Sequence, residues 1–225
     1  MKKIQYPDAE MMAMDLAYEL ASELKAALKT KDRVTFVVPG GTTPGPVFDN
    51  LCGVALEWDR VNVLLSDERW VPQNSSRSNT RMLRERLLVD KAAAATLIPM
   101  HLEFDTPEAA LPDLSRAIGP LLPIDVLLLG MGKDMHTASL FAGADRLADA
   151  FAPNAPLLMP MRNDGTDEPR LTLTAPVLQG AMSTHVVFAG KAKHKALKAA
   201  RKLNDPLKAP ISAFLKGATV HWTPE

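Results

Sequence analysis

Four short apolar runs constrain the chain most: VTFVV (Val34–Val38), VNVLL (Val61–Leu65), DVLLL (125–129) and HVVFAG (185–190). Each is too short for a stable helix and too continuously apolar for a strand with one face in water, so each reads as a strand buried on both faces of a parallel sheet. Helical patterns over residues 43–52, 78–88, 137–151 and 192–203 separate or follow them. That alternation predicts βαβ units, an α/β fold in which a mainly parallel, Rossmann-like sheet carries helices on both faces. Before the first run, Met12, Leu16, Leu20 and Leu24 recur every four residues behind Pro7-Asp8, which predicts an amphipathic helix over 8–29. RLTLT (170–174) alternates at period two and predicts a strand at the edge of the sheet or in a small lobe. The Pro- and Gly-rich stretch 152–169 reads as an irregular excursion.

The balance of charge excludes some functions. In 225 residues, 26 Lys and Arg offset 26 Asp and Glu, so there is no global positive field for nucleic acid and any anion site must be local. No signal-like or membrane-length apolar block is present, and the expectation is a soluble, cytoplasmic protein. The single Cys52, in an apolar helical pattern, reads as a core residue.

The unusual polar residues cluster just past the carboxyl ends of the four runs, where open α/β sheets place their ligands. PGGTTPG follows the first run, and its adjacent Gly40 and Gly41, with Thr42, lead into a helix whose N–H groups can face an anion. SDERWVP follows the second. Its Arg69 can grip a phosphate in bidentate fashion, and its Asp67 can accept from a sugar hydroxyl or an imidazole. Ser78 and Asn79, a little further on, suit a helix N-cap. GMGKDMHT follows the third run. It lacks the third glycine of a dinucleotide fingerprint, which leaves a tight turn presenting Asp134 and His136, with Thr137 and Ser139 opening the next helix. An imidazole can take a proton from water and return it at neutral pH, so His136 is the candidate acid and base; His101, His185, His194 and His221 have no comparable setting. KAKHK follows the fourth run and crowds Lys191, Lys193, Lys195 and Lys198 at a helix start, where cations are disfavoured unless an anion is near.

In this order and spacing, PGGTTP, SDERWVP with SRSN, LLLGMGKDMHTASLF, PRLTLT and AGKAK resemble the 6-phosphogluconolactonases of the pentose phosphate pathway. The resemblance implies one such domain over 1–225, a fold shared with glucosamine-6-phosphate deaminase and ribose-5-phosphate isomerase, and no metal or organic cofactor. The implied substrate is a small phosphorylated sugar lactone, with neither nucleic acid nor membrane as partner, handled by a monomer or small homo-oligomer. By resemblance His136 is the acid/base, and Asp67 or Asp134 orients the imidazole or a sugar hydroxyl. Gly40, Gly41, Thr42, Arg69, Lys193 and Arg170 hold the phosphorylated substrate. A same-fold deaminase or isomerase and a non-catalytic sugar-phosphate binder are the alternatives, and HTASLF with DERW favours the lactonase. Two positions depart from the family pattern: Met135 stands where Gly is usual, and Pro39 where a small Ser or Ala is common. If that Gly takes a positive φ, Met135 carries strain there or forces a different turn that displaces His136.

Overall fold

The structure is a computed structural model that describes residues 1–163 and 168–224. In chain order its elements are β1 (Lys2–Gln5), α1 (Ala9–Leu28), β2 (Val34–Val38), α2 (Gly45–Leu51), β3 (Val61–Leu65), β4 (Asp67–Arg69), α3 (Asn79–Arg86), β5 (Thr96–Ile98) and α4 (Pro107–Ile118). These are followed by β6 (Val126–Gly130), α5 (Leu147–Phe151), β7 (Leu158–Met161), β8 (Arg170–Leu173), α6 (Ala175–Gln179), β9 (Ser183–Ala189), α7 (Lys191–Leu203) and β10 (Thr219–Thr223). Seven strands form one parallel sheet in the order β1-β10-β9-β6-β2-β3-β5. The four apolar runs are four of its five inner strands, and β2 and β3 are buried at every residue.

Strand order explains where a crevice can open. From β1 to β2, β3 and β5 the chain adds strands in one direction; from β5 it returns to β6 and then runs the other way through β9 to β10. Right-handed crossovers therefore place α1, α2 and α3 on one face and α4 and α7 on the other. On the first face α1 packs against α2, and α2 against α3. The loops leaving β2 and β6 diverge to opposite faces, which leaves a gap at the carboxyl ends of these two neighbours. Among the described residues no helix is long and apolar enough to cross a membrane.

α1 forms as its pattern predicts. Met12, Leu16, Leu20 and Leu24 are buried, and the Asp8 carboxylate caps the first turn by accepting from Met11 N at 2.8 Å.

A second, three-stranded antiparallel sheet, β4-β8-β7, is the small lobe. It includes RLTLT as β8, and it also draws DER into a strand that the charged sequence did not suggest. The 152–169 excursion is only partly irregular, because Leu158–Met161 forms β7; residues 164–167 lie outside the described residues. The edge strand β1 and its neighbour β10 were likewise not legible, being short and mixed in polarity.

The helix expected over 137–151 is a correction. Only Leu147–Phe151 is helical, and residues 137–140 form a tight turn closed by a bridge between Thr137 and Leu140. Its two hydroxyls are taken by other elements: Thr137 Oγ1 donates to Gly130 O at 2.8 Å and Ser139 Oγ to Asp67 at 2.6 Å. Between them Ala138 has φ 48°, which no right-handed helix accommodates.

The middle residue of DER anchors the lobe. Glu68 is fully buried, and its carboxylate accepts from the backbone N–H groups of Arg69, Asn79 and Thr80, each at 2.8 Å, and from Ser78 Oγ at 3.2 Å. It thereby supplies negative charge at the start of α3, where the helix dipole favours it. Ser78 is the N-cap, accepting from Arg81 N, whereas Asn79 is the first helical residue and is released from capping. Replacing this carboxylate by an amide aims two N–H donors at donors that stay buried. Glu68→Gln is therefore expected to lower unfolding free energy by about 1–3 kcal/mol, read as a lower urea midpoint with an unchanged m-value.

Candidate active site

The gap at the ends of β2 and β6 is a cavity of about 220 Å³. Gly40, Gly41, Thr42, Asp67, Arg69, His136, Arg170 and Lys193 all line it; of the site residues that the resemblance implied, Asp134 does not.

The cation side is built by strand pairing. Antiparallel register sets Arg69 directly opposite Arg170 and Asp67 opposite Thr172, so period two brings both guanidinium groups and the Asp67 carboxylate to one face. Like charges directly opposed are unfavourable by themselves. The Nε atoms of both arginines are buried without a hydrogen-bond partner, and the nearest carboxylate to Arg69 Nε is Glu168 at 3.9 Å. Burial, which Asp67 partly offsets, lowers the pKa of Arg170 from its ordinary value, with the neighbouring Arg69 and Arg77 adding to the effect. Lys193, in the first turn of α7, is also lowered, by burial and then by Lys133. Arg170 and Lys193, each disfavoured in its charged form by its surroundings, stand with Arg69 in an arrangement suited to an anion.

Gly40 is glycine because a Cβ there would lie 2.1 Å from the Asn79 side chain, which donates to Asp67 O at 3.0 Å and lines the cavity. Gly41 has φ 91°. The loop thus passes over Asn79 and turns sharply into α2.

His136 stands on the other side. Its Nδ1 lies 2.5 Å from the Asp134 carboxylate. Hydrogen bonding from His136 is the main cause that lowers the pKa of Asp134, against the opposing effect of burial, so the carboxylate is ionised at neutral pH. An ionised carboxylate can only accept, so the neutral ring carries its proton on Nδ1 and leaves Nε2 with a lone pair. Asp67 does not touch the imidazole. Its two oxygens accept from Ser66 Oγ at 2.9 Å and Ser139 Oγ at 2.6 Å, which ties the lobe to the turn after β6. Of the two carboxylates that the sequence left open as partners of His136, geometry selects Asp134.

Met135 takes a positive φ, 68°, and His136 nevertheless lines the cavity. The turn is closed by Met135 N donating to Gly132 O at 3.2 Å and Gly132 N to His136 O at 3.0 Å, while Ile211 N donates to Met135 O at 3.1 Å. The strain is thus held by three backbone hydrogen bonds, and the Met135 side chain packs on the core. Pro39, the other departure, packs beside Gly130.

Two lining or supporting residues escaped the sequence reading. Asn79 was read only as a cap. Phe141 stacks on the His136 ring with centroids 4.3 Å apart and lies 5.3 Å from the Arg170 guanidinium carbon. The signal for Phe141 was its place in HTASLF, but a helix there would have pointed it elsewhere. Lys191, Lys195 and Lys198 do not line the cavity, and His194 stacks on Trp222 instead.

A parallel α/β sheet with a cation-lined crevice at its switch point, closed by a carboxylate-held imidazole, defines a small-anion site of the sugar-phosphate type. The model of the family described as glucosamine-6-phosphate isomerases/6-phosphogluconolactonase matches residues 7–222, and the chain belongs to this family. Its relatives include the 6-phosphogluconolactonase of Rhizobium meliloti, 36% identical with 97% of each chain covered. That of Pseudomonas aeruginosa is 37% identical, covering 96% of this chain and 92% of its own. Among solved structures, the 6-phosphogluconolactonase of Shewanella baltica superposes with a TM-score of 0.95 at 29% identity, over 99% of this chain and 97% of that one.

Gly132 offers a direct test of this geometry. A Cβ there would lie 2.1 Å from His136 Nδ1 and 2.2 Å from Asp134 Oδ1, so the pair occupies the space over its α-carbon. Gly132→Ala is expected to push the imidazole aside and to cut kcat/KM by about a hundredfold, the order expected for a ~1 Å misplacement. Because the displaced groups are side-chain ends, thermal unfolding should change little. Met135→Gly, in contrast, keeps the turn, and its stability should stay within about 1 kcal/mol of wild type, since relief of the left-handed strain is offset by backbone entropy and lost packing.

Proposed function

We propose that this chain hydrolyses 6-phospho-D-glucono-1,5-lactone to 6-phosphogluconate, with His136 as the proton-transfer group. The observation that carries the reading is the pairing of Arg69 with Arg170 beside Lys193, across one cavity from an imidazole whose Nδ1 is held by Asp134. The names of the full-length relatives supply the substrate class.

The chemistry needs little beyond this. Arg69, Arg170, Lys193 and the Gly40-Gly41-Thr42 loop hold the substrate's phosphate and hydroxyl oxygens, which sets the lactone carbonyl beside His136. Nε2 of His136 takes a proton as water attacks the carbonyl carbon. The negative charge that develops on the carbonyl oxygen is met by the cations of the cavity. Collapse breaks the bond between the carbonyl carbon and the ring oxygen, and the proton on Nε2 passes to that oxygen, regenerating the neutral ring. Asp134 stays ionised and stabilises the transient imidazolium. Asp67, engaged by two serine hydroxyls, balances the arginines and holds the lobe in place.

An assay in which glucose-6-phosphate dehydrogenase makes the lactone and 6-phosphogluconate dehydrogenase reports its hydrolysis tests the reading. His136→Ala should lose about 10²–10⁴-fold in kcat, the usual worth of positioned proton transfer. Wild type that merely tracks spontaneous hydrolysis would overturn the activity itself. Arg69→Ala and Lys193→Ala should mainly raise KM, each by about ten- to a hundredfold, because each removes a charge-assisted hydrogen bond worth roughly 1.5–3 kcal/mol. Inorganic phosphate should compete with substrate in the wild type and less well in either variant.

A further inference from the structure

Away from the cavity, two histidines meet inside the sheet–helix interface. Register pairs His185 with Thr219 and His221 with Val187, so on adjacent strands they are diagonal neighbours on the same face, the one that α1 covers. Both are almost wholly buried, at 1% and 0% exposure. His185 Nδ1 faces His221 Nε2 at 3.0 Å. Each outer nitrogen has a partner: His185 Nε2 lies 2.9 Å from the Glu23 carboxylate and 3.3 Å from Ser183 Oγ, and His221 Nδ1 lies 3.0 Å from Tyr6 Oη. Glu19, one helical turn before Glu23 on α1, brings its carboxylate to 3.8 Å from His221 Nε2.

The geometry points to a second site, unrelated to the lactonase cavity: we propose that Glu19, His185 and His221 bind a divalent transition-metal ion, zinc being the best match. One ligand atom from each lies within 4.8 Å of the other two. A tetrahedral ion with ligands at ~2.0–2.2 Å needs such atoms roughly 3.3 Å apart, so the two imidazole nitrogens are already close to that spacing and the Glu19 side chain closes the rest by a shift of about an ångström. The arrangement of the outer nitrogens favours a metal. A ligating imidazole must be unprotonated at the ligating nitrogen and usually donates its other N–H to a carboxylate or another oxygen. Glu23 accepts such a bond from His185, and Tyr6 Oη can accept one from His221, so both rings can turn a lone pair toward the same point. The carboxylates of Glu19 and Glu23 are about one-third exposed, which gives an ion a way in. Two imidazoles and a carboxylate suit zinc, nickel or cobalt rather than magnesium or calcium. Bound there, the ion would tie α1 to β9 and β10.

The competing arrangement is metal-free, with one proton shared between the facing nitrogens and Tyr6 donating to His221. Titration of the full chain with zinc by calorimetry, and with cobalt by visible absorption, separates the two. The proposal expects one ion per chain, the intense d–d bands of a four-coordinate cobalt site, and a rise in unfolding temperature. His221→Gln should abolish binding. Glu19→Gln, at a partly exposed helix position that leaves the fold intact, should weaken it at least about tenfold. His136→Ala, which alters only the cavity imidazole, should leave it unchanged, and the zinc-site variants should leave lactone hydrolysis unchanged. No binding at micromolar zinc, or binding lost in His136→Ala but kept in Glu19→Gln, would overturn the proposal.

Discussion

The cavity depends on one topological constraint, the reversal in the direction in which strands join the sheet between β2 and β6. Crossovers of one hand send the loops after these neighbours to opposite faces, and the crevice between them opens without any loss of packing in the strands below. Pro39 and Gly130, at the two strand ends, are in near contact at the floor of this crevice. Everything chemical is then added above a floor that the core already supports.

The second layer is electrostatic. Pairing β4 with β8 concentrates two arginines, and two carboxylates offset that concentration: Asp67 on the same face and Glu168 beside Arg69. Glu68, on the opposite face of β4, fastens this lobe to the start of α3 through three hydrogen bonds. The DER triplet thus divides its work by strand alternation. Its outer residues face the cavity, and its middle residue is buried as an anchor.

On the imidazole side, the turn after β6 exchanges helix for hydroxyl contacts. Thr137 binds back to Gly130 O and Ser139 reaches Asp67, so the segment that carries His136 is tied both to its own strand and to the arginine lobe. Met135 and Ala138 accept left-handed backbone as part of that geometry. The Phe141 ring then backs the imidazole and approaches Arg170, linking the two sides of the cavity.

Local chemistry made much of this legible. Continuous apolar runs identified the inner strands, because burial on both faces leaves no polar alternation. Glycines and charges just past those runs marked the rim, and His136, Asp67, Arg69 and Lys193 were chosen from it, while Arg170 came from the family resemblance alone. Short mixed strands such as β1 and β10, and the charged β4, carry no such signature, since each forms only when a partner strand supplies its hydrogen bonds. The helix pattern over 137–151 was outweighed by long-range bonds from Thr137 and Ser139, which no window of sequence contains. Likewise, sequence placed Asp67 and Asp134 equally near the rim. Only tertiary structure decided that Asp134 holds the imidazole, because Asp67 is claimed by Ser139, 72 residues away in the chain. The facing of His185 and His221, 36 residues apart, is of the same kind: strand register makes the contact, and register is a property of the folded sheet.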